Sequence, residues 1–215
     1  MLIPIILKFF SIFHHGTLHL SGRQLLKPQY HDCTAAYTSG TRLKMVGPVE
    51  ELKNHHDALL LHLKEEPSLA LSTGVVLSKA LLLAGASELE TDVQRIILDY
   101  FAEVTGANVS ATSFVSKSAV SRHYHTFFTW DANNANSFFG LFGADFKAYA
   151  GKRVREDEIL AGHIKGFLRI GFERNQLVHG NFAAYSLSLT ADEIFELYEA
   201  AVGFRDALPD LLRGK

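Results

Sequence analysis

The stretch from Ser72 to Thr105 limits what this chain can fold into more than any other. Its apolar residues Val75, Val76, Leu82, Leu83, Leu89, Val93, Ile96, Ile97 and Tyr100 mostly recur three or four positions apart, with Lys79 in the same register. That spacing is the period of an α-helix with one apolar stripe, and Gly106 stands where such a helix would stop. A helix this long has to bury its stripe against something. Alternating apolar and polar runs, the mark of half-buried strands, are almost absent from the chain, so its partners are expected to be other helices.

The remaining text supplies them. Val49 to Glu65 has apolar residues at Val49, Leu52, Leu59, Leu60 and Leu63, and Pro67 follows. Ser113 to Trp130 and Asn133 to Ala150 read as two more helices. The second carries Phe138, Phe139, Phe142, Phe146 and Tyr149, a stripe at helical spacing that suits the core or a dimer face. Glu156 to Val178 is a fifth helix, with Glu156, Asp157 and Glu158 placed where acids favour a helix N-terminus. Thr190 and Glu193 form a T-x-x-E capping box that opens a last helix through Ala207, with Pro209 as its stop. The expectation is an all-α bundle of about five to six helices.

Charge divides the chain unevenly. Residues 1–44 hold five of the 21 Lys+Arg and one of the 23 acids, so the rest carries a net −6. A body that acidic is not a general nucleic-acid coat, and contact with phosphates has to come from a local patch. Lys147, Lys152, Arg153, Arg155, Lys165 and Arg169 gather near the fifth helix and could form one. Among them Lys165, Arg169, Arg153 and Arg155 are the candidate RNA-binding residues. Residues 1–44 show neither helical nor strand period, and helical text begins just after Met45. They are expected to be a disordered leader or sequence upstream of a true start at Met45, the alternative being a weak membrane-proximal anchor, with residues 45–215 as the domain. No apolar run in the sequence reaches the length of a membrane-spanning helix, and no membrane partner is expected. The lone Cys33 rules out an internal disulfide and suits a reducing cytoplasm.

The chemistry concentrates in "GFERNQLVHGNF", Gly171 to Phe182, where Arg174, Asn175 and His179 crowd the end of the fifth helix before Gly180. At 100° per residue Asn175 and His179 share a face, whereas Arg174 sits roughly 140° from His179. A straight helix does not easily aim both at one atom. Either the last turn distorts at Gly180, or two copies of the helix share their side chains. A blander reading pairs Arg174 with Glu173 or Glu196 and makes His179 a helix C-terminal cap. Glu88, Glu90 and Asp92 lack nearby histidines and do not read as a metal site. His55, His56 and His62, like His123 and His125, read as solvent or interface residues, so neither metal nor cofactor is expected.

"ERNQLVHG" resembles the R-x4-6-H motif of HEPN domains, small helical bundles that include many metal-independent RNases of toxin–antitoxin and phage-defence systems. "LLLAGASELETDVQRIILDYF", "NNANSFFGLFG" and "LTADEIFELYEAAVGF" resemble, in that order, the RiboL-PSP branch, over roughly Val49 to Leu212. The resemblance implies a homodimer that pairs the motif-bearing helices around a composite cleft. It implies catalytic roles for Arg174 and His179, with Asn175 orienting the imidazole or donating to the phosphate. The implied activity is endoribonucleolytic, on tRNA or mRNA, leaving a 2′,3′-cyclic phosphate and a 5′-hydroxyl, in a toxin or defence effector with a possible antitoxin protein as partner. The alternative is a non-catalytic HEPN-like module that binds nucleotide, RNA or a protein. Some HEPN toxins carry a modifiable tyrosine two residues past the histidine. Here that position is Asn181, and Tyr185 lies further along.

Overall fold

A computed structural model describes residues 47–214, and the leader and the start at Met45 lie outside them. The elements are α1 (Pro48–His62), α2 (Pro67–Val104), α3 (Val109–Val115), a π-helical turn (Ser116–Val120), α4 (Ser121–Phe127), α5 (Asn136–Gly140), α6 (Ala144–Glu156), α7 (Glu158–His179) and α8 (Ala191–Leu212). No strand occurs among the described residues, and the protein is all-α.

Local signals explain most of the boundaries. Gly106 and Ala107 both take positive φ, and two bonds close the end of α2: Ala107 N–H to the Ala102 carbonyl at 2.7 Å and Gly106 N–H to that of Glu103 at 3.2 Å. This is a Schellman stop. The capping box forms as read, with the Glu193 N–H on Thr190 Oγ1 at 3.2 Å and the Thr190 N–H on Glu193 Oε2 at 2.8 Å. At α7 the roles of the acids shift. Asp157 is the cap, accepting from the Leu160 N–H at 2.9 Å, Glu158 opens the helix, and Glu156 closes α6 instead.

Three sequence expectations need correction. The helix read from Ser113 to Trp130 is interrupted by the π turn and ends at Phe127, where the chain becomes extended at Phe128. The one read from Asn133 to Ala150 breaks between α5 and α6, where Gly143 adopts φ +103°. Pro209 lies within α8 and does not end it; Leu208, Leu211 and Leu212 are buried, and their packing holds the last turn despite the missing donor.

α7 and α8 pack together most extensively, and α8 also runs along α2. Their approach is close because Gly166 faces α8. A Cβ there would lie 2.7 Å from that of Ala200 and 3.1 Å from the Leu197 carbonyl. Phe138 and Phe139 are fully buried, with Phe128 stacked on Phe138 at 4.7 Å and Phe167 against Phe128 at 4.9 Å. The aromatic stripe is therefore core. From Leu81 onward α2 joins it through Leu81, Leu82, Leu89, Val93 and Ile97. Its N-terminal half leaves Leu69, Leu71, Val75 and Val76 exposed. By length and composition α2 could cross a membrane, with an 18-residue window of mean hydropathy 1.7 of which 28% is buried. Run length in the sequence missed this because Ser72, Thr73, Ser78 and Lys79 interrupt the apolar text.

Candidate active site

α7 stays regular to its end. The Gly180 N–H bonds the Gln176 carbonyl at 3.0 Å, and Gly180 itself is extended, with φ −83° and ψ −176°. The angular problem posed by Arg174 and His179 is solved without distorting the turn. The Arg174 side chain bends along the helix, so that Nη1 donates to Asn175 Oδ1 at 3.1 Å while Nη2 stands 3.7 Å from Glu90 Oε2 on α2. Arg174, Asn175 and His179 thereby line one cleft of about 470 Å³ within a single chain. Neither surface partner considered for Arg174 is used. Glu173 is buried and taken by Arg169 and by the Tyr185 hydroxyl, which donates to it at 3.0 Å. Asn175 takes on a third role, as the acceptor that holds the guanidinium.

The far wall comes from residues that sequence reasoning passed over. The cleft's other polar groups are Glu90, Tyr124 and His125, and its apolar lining includes Leu89, Trp130, Phe167 and Ile170. Trp130 packs directly on α7 because Gly171 has no side chain; a Cβ there would fall 2.0 Å from the indole Cε3. The indole N–H donates to the His125 carbonyl at 2.9 Å, which ties the end of α4 to this wall. Tyr124 is buried. Burial pushes its phenol well above the usual range, the Glu90 carboxylate adds to the rise, and Arg174 opposes it. The group is thus a neutral O–H throughout the working pH range.

Of Glu88, Glu90 and Asp92 on α2, Glu88 accepts from the Tyr198 hydroxyl at 2.7 Å, and Asp92 binds Arg205 and Arg95, each at 2.9 Å. Glu90 lines the cleft, accepting from Gln94 at 3.1 Å. No group of three His, Cys, Asp or Glu among the described residues is arranged for a metal ion. The histidines keep their reading as solvent or interface groups except at His56, and the exposed His125 also borders the cleft. His56 is buried with Nδ1 2.9 Å from Asp57.

Behind His179 the chain is pinned. The buried Lys79 donates to the Phe182 carbonyl at 2.7 Å with its ammonium 5.1 Å over the Phe182 ring, and Asn181 Oδ1 accepts from the Ala183 N–H at 3.1 Å. The candidate RNA-binding residues divide. Lys165 and Arg169 line a second cleft of about 200 Å³ with Asp131, Asn133 and Phe172, and Trp130 is the wall common to both clefts. Arg153, which donates to the Tyr149 hydroxyl at 3.1 Å, and Arg155 lie on α6 and line neither.

A family model described as RiboL-PSP-HEPN matches residues 49–213. No curated protein and no solved structure matches the chain. The matched span runs from the first residues of α1 through the end of α8 and holds the whole cleft, and the chain belongs to the RiboL-PSP branch of the HEPN family.

Proposed function

We propose that the protein is a metal-independent endoribonuclease that cleaves RNA by attack of a ribose 2′-hydroxyl. HEPN membership supports an RNA-related role, since HEPN domains are often RNases. The observation that carries the reading is the convergence of Arg174, Asn175 and His179 on one cleft. The reaction needs the 2′-hydroxyl deprotonated, charge on phosphorus stabilised and the 5′-oxygen protonated. A histidine can move protons at neutral pH. An arginine carries permanent charge and a two-pronged donor edge that matches phosphate oxygens. Arg174 would grip the scissile phosphate, Asn175 would aim Arg174, and His179 would exchange a proton with a ribose oxygen. Lys165 and Arg169, one cleft away along α7, would hold a neighbouring phosphate.

His179 stands beside the exposed Val178 and Phe182 at the end of α7. Pairing of two copies there would bring two clefts together, in keeping with the dimerisation general to the family. A toxin or stress effector acting in the cytoplasm on tRNA or mRNA, restrained by an antitoxin protein, is the cellular role this chemistry fits.

The test is RNA cleavage in EDTA, read by gel and by detection of 2′,3′-cyclic phosphate ends. His179→Ala is expected to lose on the order of 10²–10⁴ in rate with the fold intact. Arg174→Lys keeps the charge, loses the planar fork and should fall nearly as far. A non-catalytic binding module would instead bind RNA without cutting it, in parent and variant alike.

A further inference from the structure

We propose that the cleft of each chain seats an unpaired nucleobase of the RNA, held at its pairing edge by the Tyr124 hydroxyl. This base subsite rests on the nuclease reading, and it lies apart from the place where two copies would pair. Arg174, Asn175 and His179 stand in the last turns of α7, where a second copy's motif helix would join them. The other α7 residues of the cleft, Phe167, Ile170 and Gly171, come earlier on the helix. From Arg174 back to Phe167 is about 10 Å along the axis, a span that one nucleotide covers from phosphate to base. Each chain can therefore hold a base while the groups of both chains gather at the phosphate.

The lining selects the ligand. Leu89, Phe167 and Ile170 belong to the buried core, and the half-buried Trp130 stands beside them. Phosphate and ribose find no partner on such walls, whereas a base brings a flat apolar face and a polar edge. The cleft's volume of about 470 Å³ also falls among small-ligand pockets, which run from about 300 to 1,000 Å³.

One polar group is set into these walls without a partner. Tyr124 is only 7% exposed, and its ring packs against Phe127, Phe128 and Trp130, each with centroids 6.1 Å away. Among the described residues nothing hydrogen-bonds its hydroxyl, and no unpartnered side-chain oxygen or nitrogen is sealed from solvent. The hydroxyl therefore opens into the cleft that Tyr124 lines. Burial keeps it a neutral O–H, a donor for the ring nitrogen or carbonyl oxygen at a base's pairing edge. In a duplex that edge is occupied and the base is stacked, so the base that enters is an unpaired one. A tyrosine kept only for packing would be served as well by phenylalanine, since an unbonded buried hydroxyl costs the fold.

The experiment first maps, in EDTA, where the full-length parent cuts a mixed-sequence oligoribonucleotide. That oligonucleotide is then remade with an abasic ribose on the 5′ side of the cut, or on the 3′ side. One of the two abasic substrates is expected to lose about 5- to 150-fold in kcat/KM, equivalent to about 1–3 kcal/mol for one stacked base. Tyr124→Phe should cut the intact substrate about five- to tenfold more slowly. It should lose nothing further on the affected abasic substrate, because the two changes remove one shared contact. Its melting temperature should equal or exceed the parent's, as no hydrogen bond of the fold is removed. Two results overturn the subsite and leave the nuclease reading standing. One is a parent that cuts both abasic substrates within about twofold of the intact one. The other is a Tyr124→Phe loss of equal size on intact and abasic substrates. A parent that cuts no RNA overturns both.

Discussion

Glu90 and Gly171 show how much of this site depends on single side chains, present or missing. Glu90 faces Arg174 at 3.7 Å with both side chains about one-third exposed, so an incoming phosphate competes with a carboxylate for the guanidinium. Partly exposed pairs of this kind are worth up to about 1 kcal/mol. Glu90→Gln should therefore tighten RNA binding by about fivefold or less at low salt. The gain should shrink as salt rises, which fluorescence anisotropy across a salt series would check. Gly171 acts by leaving room. Gly171→Ala puts a methyl group into the Trp130 ring, and overpacking of that sort costs about 1–3 kcal/mol. The indole has to leave α7, and with it goes the wall shared by the two clefts. Because Trp130 is the only tryptophan, its emission spectrum should shift in the variant along with the melting temperature.

At the scale of elements, α8 tests how far local signals carry. Its capping box is complete, and loss of an N-cap hydroxyl costs about 0.5–2 kcal/mol, so Thr190→Ala should lower the melting temperature by several degrees. The same box makes stability depend on pH. The Thr190 backbone N–H, and then its hydroxyl, hold the Glu193 carboxyl below its usual value. A carboxylate with a depressed folded value stabilises the fold above its unfolded value. That contribution disappears as pH falls through the folded value. Acid titration followed by circular dichroism should show this dependence weakened in Glu193→Gln. Pro209, by contrast, is a local stop signal that the element overrides, because three buried leucines around it gain more from continuing the helix than the lost donor costs.

For the whole molecule, the question is what a second copy would add. Arg174, Asn175 and His179 line the cleft of each chain, and in the proposed dimer two such clefts would share their side chains. Mixing inactive Arg174→Ala and His179→Ala chains should then restore part of the parent rate in the mixed dimers. A site complete within one chain would recover nothing in the same cleavage assay. Toward its N-terminus α2 leaves Leu69, Leu71, Val75 and Val76 exposed on one helix.

Much of this was legible in the residues themselves. Helical periods, the Thr190 box and the Gly106 stop depend on groups within a few positions of one another, and they appear where the text places them. The motif residues were legible too, as residue types, since their chemistry belongs to the side chain and not to the fold. What only the tertiary structure decided is who meets them. Glu90, His125 and Trp130 reach Arg174 and His179 from far along the chain, over a floor built where α2, α4 and α7 meet. Such contacts follow from how helices pack, and helix packing is settled by the fit of whole apolar faces and by the gaps left at glycines. No short-range pattern encodes that fit, so an exposed histidine from a distant helix borders the cleft, and an arginine on the wrong side of its helix reaches the right one.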